Sequence, residues 1–272
     1  MDISTISHPD SNDDSFVLLE RWVREVPHIP VSILSSPTTL DYDDLARMCD
    51  LGADTFTAAL GAVTPEIFDR ARGRDVDSPH KWGKYWHTLE WAAEIYGPEK
   101  FGARLIYGMG ETEQEIMKAA LKIRGRGGHN HTLVFFPERG SLMEDWEPVP
   151  RDQWRRVQLA RFLIDYVGGH VSRMRFDASG RLTDFGMDRD ALEAPVDSGK
   201  PFQTSDCPGH DNDISACNRP CGDSMPTDIR SFPFAFGAVT RRWYAGSCGE
   251  TMSGPTRSHK SAASLLNSSY PR

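Results

Sequence analysis

The sequence predicts an α/β protein built on a parallel sheet, followed by an irregular, cysteine-bearing extension. Two observations predict it. Short β-prone apolar runs alternate with amphipathic helical stretches at spacings that suit βαβ units, because parallel strands need a crossover and the crossover is usually helical. Beyond about Asp177 that periodicity gives way to Gly, Pro, Ser and Asp, and three of the five cysteines, Cys207, Cys217 and Cys221, crowd into this stretch.

In chain order, Phe16, Leu18, Leu19, Trp22, Val23 and Val26 recur at helical spacing, and Pro27 closes the run. Residues 31–34 read as a strand, 35–39 as a turn, and 42–51 as a helix ended by Gly52. A second strand, 55–60, leads to Thr64 as N-cap and Pro65 at the first helical position, with helix through Arg72. The next helix, 82–95, carries Tyr85, Trp86, Leu89, Ala92, Ala93 and Tyr96 on one stripe and stops at Gly97-Pro98. Its aromatic residues Trp82, Tyr85, Trp86 and Trp91 read as packing against the sheet. A strand at 103–107 passes through Gly108-Met109-Gly110 into a helix at 112–124, and a strand at 132–136 enters a Pro/Gly/Ser loop. About four β/α units result. A helix at 153–166 follows, with Arg151, Arg155 and Arg156 expected on a solvated face. The expected organisation is a disordered N-terminus at 1–15, the β/α unit array at 16–176, the cysteine-containing extension at 177–252 and a disordered, Ser-rich tail at 253–272.

At 272 residues and 39% hydrophobic composition the chain can bury a real core. Its net charge of -8, without a dense basic run, repels phosphate backbones, so no nucleic-acid partner is expected. No apolar run has membrane-spanning length, and the polar, acidic N-terminus is unlike a signal peptide. A cytoplasmic location is therefore expected. An odd number of cysteines, clustered, suits metal ligation in a reducing compartment better than a disulfide framework.

Three places could carry chemistry. The strand leading into Gly108-Met109-Gly110-Glu111 offers a turn where glycine lets a ligand approach the backbone, although Gly and Glu are also ordinary residues of a βα turn. The strand ending Phe135-Phe136-Pro137 would place those residues at a C-terminal strand end, where parallel barrels hold their active sites, or simply in the core. Cys207, Cys217 and Cys221 have C-x9-C-x3-C spacing, with His210 inside the loop and Cys248 beyond it; soft thiolates suit iron-sulfur or zinc, and the spacing does not choose between them. Incidental thiols are the alternative. Among the histidines, His80 and His87 are scattered, and His129 and His131 precede a strand and could face a cavity, with a surface loop the expected home.

The run from Ile106 to Glu113, followed by Phe135-Phe136-Pro137-Glu138-Arg139-Gly140-Ser141-Leu142-Met143, resembles the fifth and sixth barrel strands of radical S-adenosylmethionine (radical SAM) proteins of the biotin synthase type. In that family a G-x-I-x-G-x-x-E pattern lines the adenine side of SAM. Ile106, Gly108 and Glu111 stand in register with it, and Arg104 replaces its first glycine. Gly52-Ala53-Asp54 and Thr64-Pro65-Glu66 resemble the fourth strand and its helix, so the likeness covers residues 16–166. Cys207-Pro208-Gly209, Ala216-Cys217-Asn218-Arg219-Pro220 and Asp228-Ile229-Arg230 resemble the C-terminal cysteine motif of two-component lipoyl synthases.

The resemblance implies a partial parallel (β/α) barrel of radical SAM type. It implies SAM bound by Ile106, Gly108, Glu111, Phe136 and Pro137, and an auxiliary 4Fe-4S cluster on Cys207, Cys217 and Cys221; Arg104, by its charge alone, is expected to pair with the SAM carboxylate. Sulfur insertion is the implied reaction. The family's C-x3-C-x2-C motif, which holds the SAM-cleaving cluster, is absent. The expectation is therefore a chain that depends on a second subunit or an N-terminal fragment for that cluster. The alternatives are a non-catalytic, metal-binding partner subunit or relic, and an unrelated β/α enzyme, which fold alone does not exclude.

Overall fold

The computed structural model describes residues 1–205, 207–210, 228 and 230–232. Five parallel strands lie in sequence order: β1 (Asp2–Ser4), β2 (Ser32–Ser35), β3 (Thr55–Gly61), β4 (Phe101–Tyr107) and β5 (His129–Val134). The crossovers are α1 (Ser11–Glu25), α2 (Tyr42–Asp50), α3 (Pro65–Arg72) with α4 (Trp82–Tyr96), and α5 (Glu113–Arg124); α6 (Arg151–Phe162) follows β5 and continues into a π-helical turn at Leu163–Val167. As expected, Thr64 caps α3 with Pro65 inside it; Thr112 and Glu115 also form a reciprocal capping box on α5.

Strand β1 corrects the expectation that residues 1–15 are disordered and raises the strand count to five. It pairs with β2 through Ser32 N–H to the Met1 carbonyl and Thr5 N–H to the Leu34 carbonyl, and the Met1 ammonium donates to the Pro30 carbonyl at 2.7 Å. Only Ile3 of this short strand turns into the core, so no apolar run marks it.

The sheet has two unlike faces. Ile33, Phe56, Ala58, Phe101, Ala103 and Leu105 are buried in the core that the helices cover. The strand registers put Asp2, Ser32 and Thr55 on the other face, with Thr57, Gly102 and His129 in a second row and Arg104 beside His131. That face is concave. Three strand spacings would part β1 from β4 by about 14 Å on a flat sheet, yet Arg104 Nη2 lies 3.4 Å from Asp2 Oδ2.

Part of the extension expected to be irregular is regular. A hairpin joins β6 (Arg175–Phe176) to β7 (Leu182–Asp184), and α7 (Arg189–Ser198) tolerates Pro195 within it. Residues 203–205 and 207–210 lie under the sheet: Ser205 meets His131, Lys100 Nζ donates to the Gly209 and His210 carbonyls, and His210 Nδ1 lies 2.5 Å from Asp54 Oδ1. Asp54 and Lys100 immediately precede β3 and β4, so this strap lies toward the N-terminal ends of the strands. Among the described residues no helix is long and apolar enough to cross a membrane.

The arginines of α6 are not a solvated face. Arg151 is exposed, but Arg155 and Arg156 are buried. Arg156 pairs with Glu113 at 2.6 Å and Asp152 at 2.8 Å, and Glu113 also accepts the Leu182 N–H at 2.8 Å, so one carboxylate joins α5, α6 and the hairpin. Arg155 and the Trp154 indole donate to the Arg230 carbonyl, and Gln158 donates to Ser231, fastening those two residues to the same helix. These partners lie 43 to 76 residues away in sequence, so helical periodicity alone did not reveal them.

Candidate functional site

Two places hold the residues expected to carry chemistry: the rim at the C-terminal strand ends and the concave face below it. At the rim, β4 ends in a turn with Gly108 at φ 114° and Gly110 at φ 109°, backbone that side-chain-bearing residues rarely adopt. Glu111 closes this turn from within. Its buried carboxylate accepts the Gly108 N–H and, at 3.1 Å, the Met109 N–H, while Arg70 Nη2 donates to the Met109 carbonyl at 2.5 Å. Burial raises the Glu111 pKa, and backbone donors at Gly108, Glu111 itself and Met109 oppose that shift. A Cβ at Gly108 would overlap Val149 Cγ2 and approach Phe135 Cβ to 3.1 Å. The glycine therefore makes room for this protein's own packing, and the turn's amides are committed to Glu111.

Beside the turn, a cavity of about 150 Å³ is lined by Val134, Phe135, Phe136, Pro137, Pro148, Asp228 and Arg230. Phe136 is 40% exposed at its mouth. Arg230 donates to the Val149 carbonyl at 2.6 Å and pairs with Asp228 at 2.5 Å, and Arg151 pairs with Asp228 at 2.6 Å. Asp228 and Arg230, singled out from the sequence, thus lie at the rim.

The remaining expected residues divide between the two places. Ile106 is half-buried and, in register with Leu133, belongs to the concave face. Arg104 shares that face, with its guanidinium on Asp2. Cys207 is buried there too, its sulfur 3.6 Å from His131 Nε2. Cys217 and Cys221 lie outside the described residues, as does Cys248, and among the described residues no group of three His, Cys, Asp or Glu side chains is arranged to hold a metal.

The structure brings in residues that the sequence reading placed elsewhere. His129 and His131, expected in a loop, are in β5 and buried, and Asn130 between them turns to the opposite face and donates to Asp165 at 2.6 Å. Their alternation about Asn130 is the period-two signal of a strand, hidden because the inward face is polar. Arg70, also missed, stabilises the rim turn. Arg72 donates to the Ala59 and Leu60 carbonyls, to Ser36 Oγ and to Tyr85 OH, and so holds the irregular end of β3.

Burial keeps both histidines neutral. It pushes the His131 pKa down to about 3, with Arg104 and Arg161 adding to the effect, and lowers His129 well below the usual value, with His131 next in importance. An unfolded histidine titrates near 6.5, so below that pH the unfolded chain binds the extra protons and stability is lost as pH falls from about 6.5 toward 3. Each histidine contributes a slope of up to about 1.4 kcal/mol per pH unit in that window. In chelator-treated protein the urea midpoint is expected to drop between pH 7 and 5 and to drop less in His131→Gln; equal pH profiles for parent and variant would contradict the assignment.

No family model matches the chain, and no curated protein matches it. Among solved structures it is similar to HydG, a maturase of the FeFe-hydrogenase, with TM-score 0.50 and 11% identity over 60% of this chain and 38% of that one. The FeFe-hydrogenase maturase HydG from Carboxydothermus hydrogenoformans aligns with TM-score 0.46 and 15% identity, over 57% of this chain and 37% of that one. At these identities the likeness is one of fold, and the chain spans well under half the length of either protein. The five-stranded parallel sheet with its flanking helices is a partial (β/α) barrel, a fold it shares with the first of these structures.

Proposed function

We propose that this chain is the SAM-binding portion of a radical SAM enzyme, and that a second subunit or an N-terminal fragment supplies the SAM-cleaving 4Fe-4S cluster. The observation that carries the reading is the apolar cavity at the end of β5, opening beside the Gly108–Gly110 turn in a barrel of this type. Its volume, about 150 Å³, lies below the roughly 300–1,000 Å³ of pockets that bury a whole drug-sized ligand. It therefore suits one ring, and the adenine of SAM fits a wall made of Phe135, Phe136 and Pro137. Glu111 acts as a positioning residue, because its carboxylate already holds the turn's amides. SAM with its cluster supplies a 5′-deoxyadenosyl radical; the chain's own residues bind the adenine, hold the rim turn in shape and exclude water from that edge.

Sulfur insertion of the lipoyl or biotin synthase type is the reaction we assign, on the likeness of Cys207, Cys217 and Cys221 to the lipoyl synthase cysteine motif. The barrel and the cysteine extension then act as one unit, because Ser205, Arg230 and Ser231 all bond to it. One observation favours a second reading. The strap sets Cys207 among the side chains of the concave face, which suits a metal-binding partner subunit without radical chemistry. Anaerobic mixing with a fragment bearing C-x3-C-x2-C, SAM and a reductant separates the two. The enzyme reading expects 5′-deoxyadenosine, with formation reduced in Phe136→Ala; iron or zinc retained by the chain without any 5′-deoxyadenosine would leave the partner reading.

A further inference from the structure

The cavity at the end of β5 is apolar on one side and charged on the other: Phe135, Phe136, Pro137 and Pro148 face Asp228 and Arg230. Arg230 is only 8% exposed and is held at both ends. Its carbonyl accepts from the Trp154 indole at 3.2 Å and from Arg155 Nη1 at 2.5 Å. Its Nε donates to Asp228 Oδ2 at 2.5 Å and its Nη1 to the Val149 carbonyl at 2.6 Å. A guanidinium carries five N–H donors, and among the described residues Nη2 meets no acceptor. A buried charged group with unused donors is costly to leave so. The fold thus fixes a guanidinium in the cavity wall and keeps one nitrogen over.

Asp228 supplies the opposite polarity beside it. Oδ2 accepts from Arg230 and Oδ1 from Arg151 Nη2 at 2.6 Å, and each carboxylate oxygen has a further lone pair. Burial works against its ionisation, but Arg230 and then Arg151 hold its pKa below the usual carboxylate value. Near neutral pH the group therefore only accepts. A ring lying against the phenylalanines meets an acceptor next to a donor. An anionic ring would pair with Arg230 but be repelled by Asp228, and a hydrocarbon ring would leave both charges facing carbon. A neutral heterocycle with a donor adjacent to an acceptor satisfies both, and adenine has that pair in its 6-amino group and N1.

We propose that Asp228 and Arg230 read the edge of a 6-aminopurine in this cavity, Asp228 accepting from the amino group and Arg230 Nη2 donating to N1. The inference rests on the reading of the cavity as an adenine site and adds the residues that select the base. Guanine and hypoxanthine present the reverse order, an acceptor at position 6 beside an N1–H donor. In the same ring orientation they set like against like at both contacts.

The test uses the full chain and scores nucleosides, up to millimolar concentration, as competitors of bound SAM. Purine riboside lacks the amino group and 1-deazaadenosine lacks N1, so each removes one contact. Adenosine is expected to displace SAM at least about tenfold better than either, the worth of one hydrogen bond to a charged group, and better than inosine or guanosine. In Asp228→Ala the preference over purine riboside disappears, and in Arg230→Met the preference over 1-deazaadenosine disappears. The analogue series on the parent chain decides alone where a variant does not fold. SAM binding that adenosine does not displace, or that the two analogues or guanosine displace as well as adenosine does, overturns the edge reading while the SAM site stands. Absence of SAM binding overturns the functional reading itself, and this inference with it.

Discussion

Replacing Glu113 by alanine is expected to lower the free energy of unfolding by about 3–5 kcal/mol, because it leaves a buried guanidinium without its main partner. The Glu113 and Arg156 side chains are only 1% and 5% exposed, and the pair is joined through three contacts of 2.6 to 3.2 Å. Asp152, half exposed, remains to Arg156 but does not replace a bidentate carboxylate. The Leu182 N–H loses its acceptor as well, so the β6–β7 hairpin is expected to detach from α5 before the barrel unfolds. Urea unfolding measures the first effect, and amide exchange at Leu182 the second. A destabilisation under 1 kcal/mol would show that this junction does not hold the hairpin.

Gly108→Ala is the second large effect. The position has φ 114°, and an added Cβ would overlap Val149 Cγ2. A strained backbone costs about 1–3 kcal/mol and overpacking a filled site about another 1–3 kcal/mol, so a total of roughly 2–6 kcal/mol is expected. Val149→Ala separates the two contributions. In the double variant the steric part is relieved and the conformational part remains, so a double-mutant cycle is expected to show coupling of the order of the overpacking cost. Additive effects would mean that Val149 is not what excludes a side chain at Gly108.

The parts of the fold that the sequence showed clearly are those decided by neighbours in the chain. Thr64-Pro65 at the start of α3 and the aromatic stripe of α4 act through residues within a turn or two, so spacing alone exposed them. The parts that were hidden depend on distant partners or on an inverted rule. His129-Asn130-His131 resembles a loop because an inward-facing polar row reverses the usual sign of a strand. Arg155 and Arg156 resemble a solvated face because Arg230 and Glu113, which bury them, are far off in sequence. Helix α7 was concealed by Pro195, and β1 by having Ile3 as its one core residue.

The candidate site divides in the same way. That Gly108, Glu111, Phe136 and Pro137 lie where a strand gives way to a turn was readable from the strand-then-glycine and strand-then-proline pattern, whereas Ile106 belongs to the concave face. What each does there was not readable: the Glu111 carboxylate turns inward to the turn's own amides, and Arg104 reaches across the sheet to Asp2. The concave cluster needed the strap that brings Ser205 and Cys207 to His131, a contact spanning 74 to 76 residues.

Equilibrium binding of SAM to the purified full chain, measured by isothermal titration calorimetry beside Phe136→Ala, tests the central claim most directly. The account predicts a saturable one-site isotherm for the parent and a clear loss of affinity in the variant, since Phe136 forms the mouth of the cavity at the end of β5. No binding to the parent, or binding that Phe136→Ala leaves unchanged, would contradict it.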